Sequence, residues 1–323
     1  MKSESGKAIS VGICGLGTVG GGTLSLIQNN ADEISARLGG KIEVARVATR
    51  SLDPAGVEGV ANTGRDPFEV VNDPAIDIVV ETIGGFEPAF EVVRQALANG
   101  KHVVTANKAL IAERGNELFS VAEGNGVILA YESAVAGGIP IIKALREGLA
   151  ANKIDWLVGI INGTGNFIMT EMAAKQRQFA DVLKEAQELG YAEADPSFDV
   201  EGIDAAHKLT IMASIAFGIP LQFEKTYTEG ISYITPEDIS YAADLGYCIK
   251  HLGIARLSKL SADGSNRQGI EMRVHPTLIA RKCLLANVDG VGNAVLVHGN
   301  AVGSTLYSGP GAGAGATASA VVS

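Results

Sequence analysis

Five carboxylates, Glu193, Asp195, Asp199, Glu201 and Asp204, fall within twelve residues, and Lys208 follows the last of them by four. On a helix that spacing puts Asp204 and Lys208 on one face. Residues 209–217 carry no charge, so the helix that starts near Asp204 is expected to be buried on most sides. A lysine heading such a helix beside carboxylates has a tunable pKa, which proton-transfer chemistry requires. The competing reading is a surface i,i+4 pair worth about a few tenths of a kcal/mol. A second lysine, Lys108, ends Val103-Val104-Thr105-Ala106-Asn107-Lys108, directly after a predicted strand. The carboxyl ends of parallel strands are where α/β sheets bind ligands, although position alone leaves an ordinary exposed lysine equally open.

Near the amino end, Gly15-Leu16-Gly17-Thr18-Val19-Gly20 follows the apolar run Val11-Gly12-Ile13-Cys14. In a strand-to-helix turn the first glycine makes the sharp bend and the second lets backbone approach a pyrophosphate. The third lets helix and strand pack closely, with the phosphate charge at the helix N-terminus. The pattern alone also occurs as a ligand-free glycine turn. The second strand ends Ala48-Thr49-Arg50-Ser51, with no acid before Asp53. An acid there would favour NAD, whereas Arg50 suits the 2′-phosphate of NADP. The alternative for Arg50 is a solvated strand-end charge.

Short aliphatic runs alternate with helix-like segments in the first half of the chain. Strands are predicted at Ala8–Cys14, Ile42–Thr49, Ile76–Val80, His102–Thr105 and Val127–Tyr131, with helices at Pro88–Ala98 and Asn107–Glu123. Fully apolar strands alternating with helices imply a parallel sheet covered on both faces. After about residue 140 the pattern changes. Helices are expected at Ile139–Gly148, from Asn166, at Ala180–Leu189 and at Asp204–Phe217, the last closed by Gly218. Strands at Asp155–Ile161, Ile254–Leu260, Glu271–Pro276 and Ala294–Gly299 would form a second, more open sheet. The tail Gly309–Gly315 leads into a small-residue helix ending at Ser323. The fold class is therefore α/β, a doubly wound Rossmann-type sheet with a second α+β domain. Residues 1–140 plus a C-terminal helix (about 305–323) make the nucleotide-binding domain. Residues 141–304 make the catalytic and dimerisation domain.

A net charge of −10 and the lack of any Lys/Arg run disfavour nucleic acid and anionic membrane. Residues 8–31 are uncharged, yet six glycines between Gly12 and Gly22 fit a strand-loop-helix unit rather than a membrane span or signal peptide. Three widely spaced cysteines, Cys14, Cys248 and Cys283, give neither a zinc module nor a disulfide framework and fit a reducing cytoplasm. The five histidines show no metal-ligand spacing.

Taken together, these segments resemble homoserine dehydrogenase over nearly the whole chain. The resemblance is carried by Ala186, Gly190, Tyr191, Asp195-Pro196, Asp199, Gly202, Asp204 and Lys208, and by Tyr131 through Pro140, Asn162-Gly163-Thr164 and Thr228-Glu229-Gly230-Ile231. It implies reversible NAD(P)H-dependent reduction of L-aspartate 4-semialdehyde to L-homoserine, a step toward threonine and methionine. NADP(H) is expected ahead of NAD(H). By the same resemblance Lys208 is the general acid and base, and Asp204 orients it and the substrate. Glu193 would bind the substrate ammonium, with Asp199, Thr164 and Gly163 also lining the substrate site. Lys108 would sit near the reacting oxygen and the nicotinamide. Gly15, Gly17, Thr18, Val19, Gly20, Arg50, Thr82, Gly190, Gly311 and Gly313 would touch the cofactor. A sodium ion is implied between the domains, on Glu132, Val135, Gly137 and Ile139, where carbonyls and one carboxylate suit a hard cation; an ion-free glycine hinge is the alternative. A homodimer is expected, with a tetramer as the other option. The resemblance is to a short form without the C-terminal regulatory domain of many relatives.

Three departures stand out: Gly165 where a hydroxyl residue is expected, Phe167 for a tyrosine, and His251 for a leucine. Two other functions compete. A semialdehyde dehydrogenase that oxidises aldehydes would need a cysteine nucleophile with a base, yet Cys248 and Cys283 are expected in helices or aliphatic surroundings. A silent cofactor-binding regulator would not need the Glu193, Asp204 and Lys208 set.

Overall fold

The computed structural model describes residues 8–50, 57–259 and 268–323. The chain divides into two units, Met1–Gly138 with Ala312–Ser323, and Ile139–Gly311.

The first unit begins with β1 (Ile9–Cys14), α1 (Thr18–Asn29), α2 (Ala31–Leu38), β2 (Ile42–Ala48), β3 (Asn62–Gly64) and α3 (Pro67–Val71). Then follow β4 (Ile78–Glu81), α4 (Ala89–Ala98), β5 (His102–Thr105), α5 (Lys108–Gly124) and β6 (Leu129–Ala130). The six strands lie in the order β3-β2-β1-β4-β5-β6, and every neighbouring pair is parallel. This is the expected doubly wound sheet. Val11, Ile13, Val47 and Val80 form its buried centre with Leu24 of α1. Strand order reverses between β1 and β4, so their carboxyl ends open the crevice where such sheets bind ligands. The uncharged stretch of residues 8–31 resolves into β1, the glycine turn and α1. Two short elements, β3 and α3, escape sequence reading because three and five residues carry too little periodicity.

The second unit contains a short helical turn α6 (Ile141–Lys143), β7 (Ile154–Ile160), α7 (Gly163–Lys175), α8 (Phe179–Glu188), α9 (Ser197–Val200) and α10 (Ile203–Phe217). Further on are β8 (Tyr227–Thr228), α11 (Pro236–Asp244), β9 (Tyr247–Lys259), β10 (Gln268–Ala280), β11 (Gly292–Gly299) and β12 (Gly303–Pro310). Its sheet has the order β12-β11-β7-β9-β10-β8, antiparallel except for the β10–β8 pair. Finally α12 (Ala314–Val322) returns to the first unit, where it packs on α1.

Several sequence expectations need correction. The helix expected over Ile139–Gly148 is a three-residue α turn running into a π-helical turn at Ala144–Gly148. The helix expected from Asn166 starts at Gly163, because the Asn162 side chain caps it by accepting from Gly165 N at 2.6 Å. Strands β9 and β10 are thirteen residues each and pair along their length, so Cys248 lies on a strand and not in a helix. Leu260, the expected end of that strand, lies outside the described residues, as does Asp53. The segment from about 305 does not return at once to the first unit. It stays in the second sheet as β12 as far as Pro310, and the glycine, serine and proline flanking its short Thr305-Leu306-Tyr307 run hide the strand. No described helix is long and apolar enough to cross a membrane.

Candidate active site

Helix α10 supplies the central pair of the second unit. Gly202 enters it with φ 84° and Gly218 ends it with φ 63°, both left-handed positions that favour glycine. A β-carbon at 202 would also lie 3.0 Å from His251 Cε1. Residues 204–213 of the helix are all buried. Asp204 and Lys208 are 3% and 9% exposed, so they are no surface pair. Lys208 Nζ donates to Asp204 Oδ2 at 2.6 Å and to the Ile161 carbonyl at 2.8 Å, just past the end of β7.

Asn162 binds this pair to the acidic segment. Its Nδ2 donates to Asp204 Oδ2 at 2.8 Å and to Asp199 Oδ1 at 2.7 Å, while its Oδ1 caps α7. Thr164, on the first turn of α7, donates to the Tyr191 carbonyl at 2.7 Å, next to Gly190 with φ 74°. Of the residues expected from sequence, Asp199, Asp204, Lys208, Gly163 and Thr164 thus gather around the start of α7. Asn162, which ties them together, is not among those expected. The signal was available: an asparagine between an apolar strand and a small-residue run is a helix-cap signature.

Glu193 stands apart. Glu193 is exposed, and its backbone carbonyl accepts from Gln187 Nε2 at 3.1 Å. The loop from Tyr191 to Pro196 buries only Ala192, too little apolar surface to draw the carboxylate inward. The three departures fall together in this unit. Phe167 packs edge-on against Tyr191 at 5.1 Å. A β-carbon at 165 would lie 3.2 Å from Asn162 Oδ1 and 3.8 Å from His251 Nδ1. Glycine there therefore spares the cap.

In the first unit, the carboxyl ends of β1, β2 and β4 line a cleft of about 340 Å³ that includes Gly15, Gly17, Arg50, Arg65 and Thr82. Gly15 has φ 97°, and a β-carbon there would lie 2.7 Å from the Thr82 carbonyl. At Gly17 nothing stands within 4 Å, whereas a β-carbon at Gly20 would lie 1.9 Å from the Gly15 carbonyl. The turn, the open approach and the close packing fall on the three glycines in that order. Helix α1 starts at Thr18 and Val19 with no side-chain cap and no acid in its first turn. Its amide hydrogens and dipole therefore suit a pyrophosphate. Thr82 Oγ1 donates to the Gly15 carbonyl at 2.8 Å and steadies the turn. Arg50, at the end of β2, shares the cleft with Arg65, which sequence reading did not single out because it follows the short β3.

Lys108 is the first residue of α5 and half-buried, with Asn107 as the cap. Glu132 is buried and Val135 fully so, followed by left-handed residues Ala136 and Gly137; Ile139 begins the second unit. Gly311 ends the second unit, where a β-carbon would lie 2.1 Å from Asn293 Nδ2, and Gly313 caps α12 with φ 116°. Burial pushes the Cys14 and Cys248 thiols up, away from the thiolate a nucleophile needs.

Comparison with known proteins places the chain in a family. The family model for homoserine dehydrogenase matches residues 140–323, and the model for the homoserine dehydrogenase NAD-binding domain matches residues 15–132. The homoserine dehydrogenase of Pseudomonas aeruginosa is 63% identical over 98% of this chain and 71% of its own length. That of Bacillus subtilis is 44% identical over 98% of this chain and 72% of its own. The crystal structure of a homoserine dehydrogenase from Thiobacillus denitrificans superposes with a TM-score of 0.93 at 64% identity, covering 98% of this chain and 72% of that one. A hyperthermophilic archaeal homoserine dehydrogenase, solved in complex with NADPH, gives 0.80 at 27% identity, covering 98% and 95%.

Proposed function

The chain belongs to the homoserine dehydrogenase family of NAD(P)-dependent oxidoreductases acting on a CH–OH group, and from that premise we propose that Lys208 carries the proton in its reaction. Reduction of L-aspartate 4-semialdehyde to L-homoserine adds a hydride to the aldehyde carbon and a proton to its oxygen. When bound, the reduced nicotinamide supplies the hydride. The observation that carries the proposal is the buried Lys208–Asp204 pair. Two of the three ammonium hydrogens go to Asp204 Oδ2 and the Ile161 carbonyl, which aims the third toward a substrate oxygen. Asp204, itself held by Asn162, orients Lys208. Lys208 donates to the developing alkoxide in reduction and takes the proton back in oxidation. Glu193 and Asp199 supply the anionic side of the site for the substrate ammonium, with Gly163 and Thr164 shaping its floor. Lys108 is assigned to the nicotinamide side of the reaction, at the start of α5.

NADP(H) is the cofactor we assign ahead of NAD(H). The support is that Arg50 and Arg65 line one cleft, where two guanidinium groups suit a 2′-phosphate. Gly190, Gly311 and Gly313 complete the assigned cofactor contacts. A sodium ion on Glu132, Val135, Gly137 and Ile139 belongs to the same proposal, supported by the buried carboxylate and the turned backbone at 136–137. The assembly proposed is a homodimer formed through the second sheet, whose neighbourhood exposes Tyr241, Leu245, Tyr247 and Leu278. The compartment proposed is the cytoplasm, in keeping with three free cysteines.

The direct test is absorbance at the reduced-nicotinamide band with L-homoserine and NADP, then NAD. Turnover with both, faster with NADP, is the expected result. No change with either cofactor contradicts the proposal.

A further inference from the structure

Glu81 ends β4 and is completely buried, yet no step above uses it. Its Oε1 accepts from Ile83 N at 2.8 Å and Gly84 N at 3.3 Å, and its Oε2 accepts from Thr105 Oγ1 at 2.5 Å. Thr105 in turn accepts from Asn107 N at 3.0 Å. Asn107 caps α5 through Leu110 N at 3.1 Å and donates from Nδ2 to the Gly85 carbonyl at 2.6 Å. The bonds therefore close a ring. They run from the β4 carboxylate through Thr105 and Asn107 to Gly85, and back along Gly84 and Ile83. Thr82 extends the ring to the glycine turn through the Gly15 carbonyl, and Lys108 follows the Asn107 cap directly.

A carboxylate taken fully out of water is costly unless its lone pairs are filled. Three hydrogen bonds, two of them short, meet them here, although burial still pushes the carboxyl above its ordinary value. A glutamine or an apolar residue would spare that cost if the position only packed the core. The left-handed Gly84 and Gly85 have no regular structure to hold them, so the carboxylate fixes that loop. We propose that Glu81 is a positioning residue for hydride transfer. Through Thr105 and Asn107 it locks the Thr82–Gly85 loop and the start of α5 into one geometry, so that the nicotinamide end of the cofactor and Lys108 are held in register. This rests on the reading of Thr82 and Lys108 as cofactor-side groups.

Thr105→Val keeps the shape of the side chain and removes both its bonds; Thr105→Ser restores them; Glu81→Met removes the carboxylate. The measurements are turnover, KM, the primary isotope effect with NADPH deuterated at the transferred position, and the fluorescence gained by NADPH on binding. Thr105→Val is expected to lower kcat about tenfold to a hundredfold, with KM changed less than about threefold. Its isotope effect should rise and its NADPH fluorescence gain should shrink, while Thr105→Ser recovers both. Should Glu81→Met fail to fold, Thr105→Val alone decides. A Thr105→Val enzyme with a lower melting temperature but unchanged kcat, isotope effect and fluorescence gain overturns the proposal. Lys108→Ala separates the two readings. If it keeps wild-type turnover, Lys108 leaves the site. A raised isotope effect in Thr105→Val then keeps Glu81 as a positioner of the loop alone, and an unchanged one rejects it.

Discussion

Asp204 and Lys208 share a helix face, and burial decides what that pair is worth. An exposed i,i+4 pair contributes about 0.3–0.5 kcal/mol, whereas removing one partner of a buried pair costs about 3–5 kcal/mol because the other charge is stranded. Here the Asn162 amide remains on Asp204 when Lys208 is lost, which softens that cost. Glu193 presents the opposite case: in the proposed role, an exposed carboxylate would gain a substrate ammonium against competing water. Glu193→Gln is expected to raise the substrate KM about tenfold with kcat changed less than about twofold, the loss of one charge-assisted hydrogen bond. Steady-state kinetics check this, and a variant that weakens only cofactor binding rejects the ammonium role. The two guanidinium groups of the first-unit cleft are proposed to act in the same way on the cofactor. Arg50→Ala and Arg65→Ala should each raise the KM for NADPH about tenfold and leave that for NADH nearly unchanged, since a charge-assisted contact to phosphate is worth about 1.5–3 kcal/mol. Equal losses with both cofactors reject the 2′-phosphate assignment.

At the scale of elements, the parallel strands and long helices are legible because their apolar periods are strong. β1, β5, α4, α5 and α10 lie within a residue or so of their predicted ends. What escaped is physical rather than accidental. β12 has only the short run Thr305-Leu306-Tyr307 flanked by glycine, serine and a proline, too little alternation to mark it. β9 and β10 extend beyond their apolar centres because each pairs with the other, and pairing is invisible in one sequence. Within the site, Lys208 and Asp204 are legible from spacing, while the bridging of Asp199 to Asp204 by Asn162 depends on a tertiary approach over 37 and 42 residues. His251 on β9 carries an element-scale prediction. Burial pulls its pKa below the ordinary 6.5, against the raising effects of the Glu229 carbonyl and the Glu201 and Glu229 carboxylates. A histidine with a depressed folded pKa leaves the unfolded chain binding more protons, so stability is complete above 6.5 and is lost as pH falls below it. The melting temperature should therefore drop between pH 7.5 and about 5.5, and His251→Leu should flatten part of that drop. An identical pH dependence in the variant contradicts the assignment.

For the molecule as a whole, the chain divides its labour between two folds. The first unit holds a glycine turn, an uncapped helix start and an arginine-lined cleft, features that hold a dinucleotide and name no substrate. The second holds the buried lysine and its carboxylates, features suited to proton transfer, with Gly190 and Gly311 as its only proposed cofactor contacts. That separation predicts that chemistry and cofactor affinity can be lost independently. Lys208→Ala tests it most directly, with L-homoserine oxidation and NADPH binding measured on the same preparation. Turnover should fall about a thousandfold, within the usual range for a lost general acid–base group, while the Kd for NADPH stays within about twofold. Near-normal turnover in that variant, or a loss explained by weakened NADPH binding, would contradict the account.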